Sequence, residues 1–248
     1  MIRLARQIPP VFAAVLFGLA GSLAFAGEPD SVESESQDPL IYQGTPVQTC
    51  GWSTVVAVTT NFGGLCTGTL VHPRLVVFAA HCGGGNKTAR FGNSSGGSFQ
   101  MGTQYCQTYP EYSMTSDEHI DWAFCVLNQP VNIPVAPVVT GCEWESVKAD
   151  DDVAVVGYGQ SFNGGGGGTK RWAITKLIGL SLDNNIAEVG GHNGPGSCPG
   201  DSGGPAFKRF PDGSWKQFGI VSTGTADSCD EFTQHYYSLT YKAIPWVE

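Results

Sequence analysis

The apolar residues of this chain come in short, β-branched runs cut off by glycine and proline. That rhythm restricts the fold more than any other feature. Residues 53–59, 65–71, 74–82 and 153–159 contain such runs. Almost nowhere does a period of 3.6 persist, so the pattern points to an all-β fold rather than a helical one. The 34 glycines and 15 prolines supply the punctuation, and 248 residues give room for one domain or two small lobes.

The first 40 residues read differently. Arg3 and Arg6 precede an apolar stretch over residues 11–26 that ends Ala24-Phe25-Ala26. A basic start, an apolar middle and small residues at the end form a secretory signal, and the stretch is short of the roughly 20 residues of a spanning helix. Residues 27–40 are acidic, polar and without apolar periodicity, as expected of a disordered segment. Secretion agrees with the eight cysteines, enough for four disulfides in an oxidising compartment. The formal charge of −9 argues against nucleic-acid binding. Without residues 1–40 the chain keeps 11 basic against 17 acidic side chains.

The stretch Cys198-Pro199-Gly200-Asp201-Ser202-Gly203-Gly204-Pro205 is the strongest candidate for chemistry. A serine hydroxyl attacks a carbonyl only if a base takes its proton and donors receive the oxyanion. Glycines let the backbone approach a substrate and turn N–H groups toward one point; Gly200 and Ser202 are the candidate donors. The same residues also satisfy Gly-x-Ser-x-Gly, the nucleophile elbow of an esterase-type α/β fold. That fold needs its acid and histidine after the serine, on further strand–helix units. Only 46 residues follow Ser202, and Asp230 and His235 would lack a scaffold there. Upstream, His81 ends a strand-like run beside Cys82, with room left by Ala79-Ala80. Asp121 enters the otherwise apolar run of residues 120–127, where a charge must find a partner.

Four motifs then carry a resemblance. Thr67-Gly68-Thr69-Leu70, Ala79-Ala80-His81-Cys82, Asp121-Trp122-Ala123-Phe124 and Gly200-Asp201-Ser202-Gly203-Gly204-Pro205 stand in the order of the trypsin/chymotrypsin serine proteases. The chain resembles that family over residues 41–248. The resemblance implies two antiparallel six-stranded β-barrels, about 41–135 and about 136–248, with the site in the cleft between them and a short C-terminal helix. It implies His81 as general base and acid, Asp121 as its orienting partner and Ser202 as nucleophile. It also implies a zymogen cut before Ile41, whose new amine pairs with Asp201. Since Leu40 precedes the cut, activation is not expected from a trypsin, and an autocatalytic cut stays open.

The residues that would form the primary specificity pocket on this resemblance are Gly196, Ser197, Ser222, Gly224 and Gln234. Gly196 stands where trypsin-like members carry Asp, and Thr223 where the family usually has Trp. Cleavage is therefore expected after uncharged residues, aromatic or medium aliphatic. The resemblance pairs Cys66 with Cys82 and Cys198 with Cys229. Cys106 with Cys125 on neighbouring strands would leave Cys50 with Cys142. A Cys66–Cys82 bridge would close a loop of about 16 residues and contribute roughly 3 kcal/mol.

Neither a metal nor a cofactor is expected, since no Cys-x-x-Cys spacing with histidines is present and the glycines of residues 163–168 lack a phosphate-loop pattern. The expected partners are protein or peptide substrates, with no nucleic acid and no membrane anchor, and the expected state is a monomer. Asn86-Lys87-Thr88 and Asn93-Ser94-Ser95 fit the glycosylation pattern. The rival readings are a catalytically silent secreted binding homologue and an esterase using the same serine.

Overall fold

A computed structural model describes residues 41–60, 63–97 and 99–247. The expected signal, acidic segment and Leu40 lie outside the described residues. Within them the architecture is antiparallel β throughout, in two closed barrels of six strands each. The first comprises β2 (Val55–Thr60), β3 (Leu65–His72), β4 (Leu75–Phe78), β5 (Lys87–Phe91), β6 (Phe99–Thr108) and β7 (Ala123–Leu127), in the order β2-β3-β4-β7-β6-β5. The second comprises β8 (Asp152–Gly157), β9 (Arg171–Ser181), β10 (Ile186–Val189), β11 (Pro205–Arg209), β12 (Trp215–Gly224) and β13 (His235–Leu239). It closes because β8 pairs with both β9 and β11, while β1 (Thr45–Pro46) lies on the edge of β9.

The apolar runs owe their continuity to strands buried on both faces. On β2, Val56 and Val58 point into the first barrel with Leu70, Val76, Phe91 and Leu127. The alternate residues Val55 and Ala57 pack instead on Ala154, Val156, Tyr158 and Phe207 of the second half. On β8, Val153 and Val155 enter the second core with Leu177, Phe218, Tyr237 and Leu239. Each such side chain, fully withdrawn from water, contributes roughly 1.5–3 kcal/mol, so the seam between barrels stabilises the fold as the two cores do. Trp52, Trp172 and Trp215 edge this seam, with Trp52 stacked on Phe207 at 5.1 Å.

The connector between barrels is stitched to both. Ala136 N–H donates to Leu70 O in β3 (2.8 Å), while Gln217 of β12 donates to Pro137 O and accepts from Val139 N–H (both 2.9 Å). A 3-10 turn at Gly141–Ser146 follows, capped by Thr140 and Glu143. The chain closes with a short helix, α1 (Ile244–Val247).

Three disulfides are formed: Cys66–Cys82, Cys106–Cys125 and Cys198–Cys229. The expected Cys50–Cys142 bridge is not. Cys50 sits in a turn ahead of β2 and Cys142 in the capped 3-10 turn; both thiols are exposed and free.

Candidate active site

The first barrel presents the imidazole. β4 ends at Phe78, Ala79 is extended, and Ala80–Cys82 form a 3-10 turn that swings His81 outward. The Cys66–Cys82 bridge ties that turn to β3. Asp121 follows the 3-10 turn Glu118–Ile120 and is 1% exposed. Its carboxylate is surrounded by donors. His81 N–H reaches Oδ1 at 2.8 Å, His81 Nδ1 lies 2.6 Å from Oδ2, and the Ser222 hydroxyl donates to Oδ2 at 2.6 Å. With its Nδ1 held on a buried carboxylate, the ring is fixed in orientation and its Nε2 is the nitrogen available to a substrate.

The second barrel presents the serine on a tight loop. Asp201 N–H donates to Cys198 O and Gly204 N–H to Asp201 O. Gly200 has φ +97°, a conformation that favours glycine. Among the described residues, neither Gly200 N–H nor Ser202 N–H donates to a protein acceptor. Two unengaged backbone donors on the loop that carries a serine hydroxyl are what a developing oxyanion requires.

Thr67 of β3 holds this loop against the first barrel. Its N–H donates to Ser202 O (2.9 Å), its hydroxyl donates to Gly200 O (3.1 Å), and the same oxygen accepts Tyr158 N–H (3.1 Å). The motif Thr67-Gly68-Thr69-Leu70 marked the family resemblance, but this clasp role rests on contacts across 133 residues of chain and left no local signal.

Asp201 itself points away from the cleft and is 1% exposed. It accepts N–H groups from Gly159 (2.7 Å) and Cys198 (2.8 Å) and has no cationic partner among the described residues. Burial pushes its carboxyl up to about 7, against the lowering effect of those N–H bonds. Ile41 is 2% exposed, packed in the second core beside Val139, Trp144 and Val221.

A cleft of about 390 Å³ joins the two walls, lined by His81, Asp121 and Ser202 together with Ser197, Ser222, Thr223, Gly224 and His235. Of the expected pocket residues, Ser197, Ser222 and Gly224 line it. Gly196 lies behind, its N–H on Tyr42 O at 3.4 Å. Gln234 does not line the cleft: its carbonyl accepts Thr225 N–H and its side chain accepts the Tyr236 hydroxyl. In place of Gln234 the cleft is lined by His235, which pairs with Gly224 across β12 and β13. Behind it, Ser197 Oγ is hydrogen-bonded to the Tyr237 hydroxyl. Among the described residues no group of three or more His, Cys, Asp or Glu converges to hold a metal ion.

Comparison with known proteins agrees with this geometry. The trypsin family profile matches residues 41–247. A trypsin-like protease from Streptomyces glaucescens is 28% identical over 185 residues, covering 66% of each chain. A tryptase from Mus musculus is 25% identical over 217 residues, 73% of this chain and 77% of the tryptase. Vitamin K-dependent protein C of Mus musculus is 28% identical over 212 residues, 73% of this chain but 45% of that protein. The chain thus spans about two thirds of the first relative's length and under half of the last.

Proposed function

Because the chain belongs to the trypsin family of serine proteases, we propose that it is a secreted endopeptidase using His81, Asp121 and Ser202. His81 Nε2 takes the proton from Ser202 Oγ as the oxygen attacks the scissile carbonyl. The oxyanion of the tetrahedral intermediate is received by the N–H groups of Gly200 and Ser202. His81 then gives its proton to the leaving amine, an acyl-enzyme remains, and water repeats the sequence in reverse. Asp121 keeps Nδ1 protonated and stabilises the imidazolium as it forms.

The reading rests on one observation above the rest. A nearly fully buried carboxylate is bonded at once to a histidine ring, to that histidine's backbone and to a serine hydroxyl. A buried charge with this set of donors holds the ring in a single tautomer, which is what a general base for Ser202 requires.

In the same reading, residues 1–26 are the secretory signal, residues 27–40 are the propeptide, and the mature enzyme runs from Ile41. Its two lobes, about 41–135 and about 136–248, act as a monomer on protein or peptide substrates. The cut after Leu40 frees an amine that pairs with Asp201, whose buried carboxyl otherwise meets only dipoles. With glycine at 196, the pocket has no acid for Arg or Lys, so cleavage follows uncharged residues.

The test is covalent labelling of the secreted protein with a fluorophosphonate, followed by digestion of a protein substrate. Labelling of Ser202 with peptide-bond cleavage supports the proposal. No labelling of Ser202 in protein beginning at Ile41 overturns it, and labelling with cleavage of esters alone selects the esterase.

A further inference from the structure

We infer that His235 forms the floor of the primary specificity pocket and that its ring selects a carboxamide side chain, glutamine or asparagine, at the residue before the cut. The inference rests on the protease reading above and names the substrate class of that same site.

Position comes first. Gly224 and His235 face each other across β12 and β13, and both line the cleft with Ser197 and Ser222. A Cβ built on Gly196 would lie 2.6 Å from His235 Nε2 and 2.7 Å from Cδ2. The ring edge therefore occupies the space into which any side chain at 196 would project. The group presented by the floor is the imidazole, and residue 196 has to be glycine to admit it.

Its bonding comes second. His235 is 4% exposed, and its Nε2 is buried with no hydrogen-bond partner among the described residues. Buried polar atoms in folded proteins are nearly always bonded. Three hydroxyls that line the same cleft are engaged elsewhere: Ser197 with Tyr237, Ser222 with Asp121, and Ser228 with Thr233. An unpartnered ring nitrogen in the wall of a substrate cleft is completed by the substrate.

Charge decides which substrate. Burial lowers the ring's pKa to about 4, with Asp230 opposing, so it is neutral under ordinary conditions. Glu118, Asp121 and Asp227 line the same cleft, and among the described residues no Lys or Arg does. A carboxylate would enter a field of its own sign and meet a neutral ring. A cationic side chain would find no ionised acid on the floor. A carboxamide carries both a donor and an acceptor, so it satisfies the ring nitrogen in either tautomer.

The experiment uses enzyme beginning at Ile41, its active sites titrated with fluorophosphonate, and chromogenic peptides that differ only in the residue before the cut: Gln, Glu, Met, Leu, Phe and Arg. The expected kcat/KM for Gln exceeds that for near-isosteric Met, and that for Glu, by about tenfold or more, as for a site whose polar group is left unpaired by the wrong substrate. His235→Leu is expected to abolish the advantage of Gln over Met. His235→Gly opens the floor and shifts preference toward Phe. Glu preferred over Gln in the unaltered enzyme overturns the inference, because the ring then acts as a cation. Met or Leu equal to Gln overturns it as well, because the ring then only fills space. The panel on the unaltered enzyme decides even if a variant fails to fold. Absence of both labelling and cleavage is a different result: it removes the protease reading, and this inference with it.

Discussion

The two walls of the cleft treat their buried titratable groups in opposite ways. On the first-barrel wall, Asp121 is buried but compensated by the His81 ring, the His81 N–H and Ser222. On the second-barrel side, Asp201, behind the serine loop, and His235, in the cleft, are almost as deeply buried, and among the described residues neither has an ionised partner in contact. Burial shifts both toward their neutral forms, the carboxyl up to about 7 and the imidazole down to about 4. One wall is finished when the chain folds. The other contains two groups that, in the reading proposed above, are completed by arrivals: a new terminus for Asp201 and a substrate for His235. The difference teaches where control over such a molecule resides, since only the unfinished wall can respond to a cut or discriminate among peptides.

The strongest way to break this contrast is Ser202→Ala, which should reduce kcat/KM by about 10⁴-fold or more while the melting curve barely moves. Titrated rates and calorimetry check it, and substantial residual turnover would mean the chemistry lies elsewhere. Asp121→Asn should lower kcat by about 10⁴-fold through the wrong His81 tautomer, with little change in KM.

The next test concerns pH. In the uncleaved chain Asp201 titrates above its unfolded value, so its folded state binds more protons. Stability from this group is therefore lost as pH rises from about 4 to about 7, on the order of a few kcal/mol. His235 titrates below its unfolded value, so its contribution is lost in the other direction, as pH falls from about 6.5 to about 4. The two offset each other in the unaltered chain. Denaturant unfolding of uncleaved Ser202→Ala protein carrying Asp201→Asn should show stability rising with pH across this window. The same background with His235→Leu should show it falling. Identical profiles would erase the proposed difference between the groups. The smallest effect is expected from Ser222→Ala, which removes one donor from Asp121 and should reduce kcat/KM about tenfold.

How far the sequence reached depended on whether a feature is local. The short apolar runs pointed to strands because β2 and β8 bury both faces, and the four motifs carried the two-barrel expectation. His81, Asp121 and Ser202 stood out as residue types in telling company, and the structure lines one cleft with all three. What escaped depends on register or on distant contact. The loop over residues 225–234 hides how β13 is aligned, and the pairing of Gly224 with His235 across β12 and β13 is what brings His235, not Gln234, to the cleft. The clasp of Thr67 on the serine loop joins strands far apart in the chain. Cys50 and Cys142 were paired by elimination, a procedure that ignores where their turns lie.

Gly203 draws one further consequence from that clasp. With φ +83°, it lies so close to the first barrel that an added methyl would sit 2.5 Å from Thr67 O, 2.7 Å from Ala79 N and 2.9 Å from Phe78 Cβ. The spacing of the two lobes at this point is thus gauged by a single hydrogen atom. A saturation library at codon 203 should return one survivor, and any larger residue would act as a wedge, prising Ser202 from His81, the nucleophile and base proposed above, without touching either.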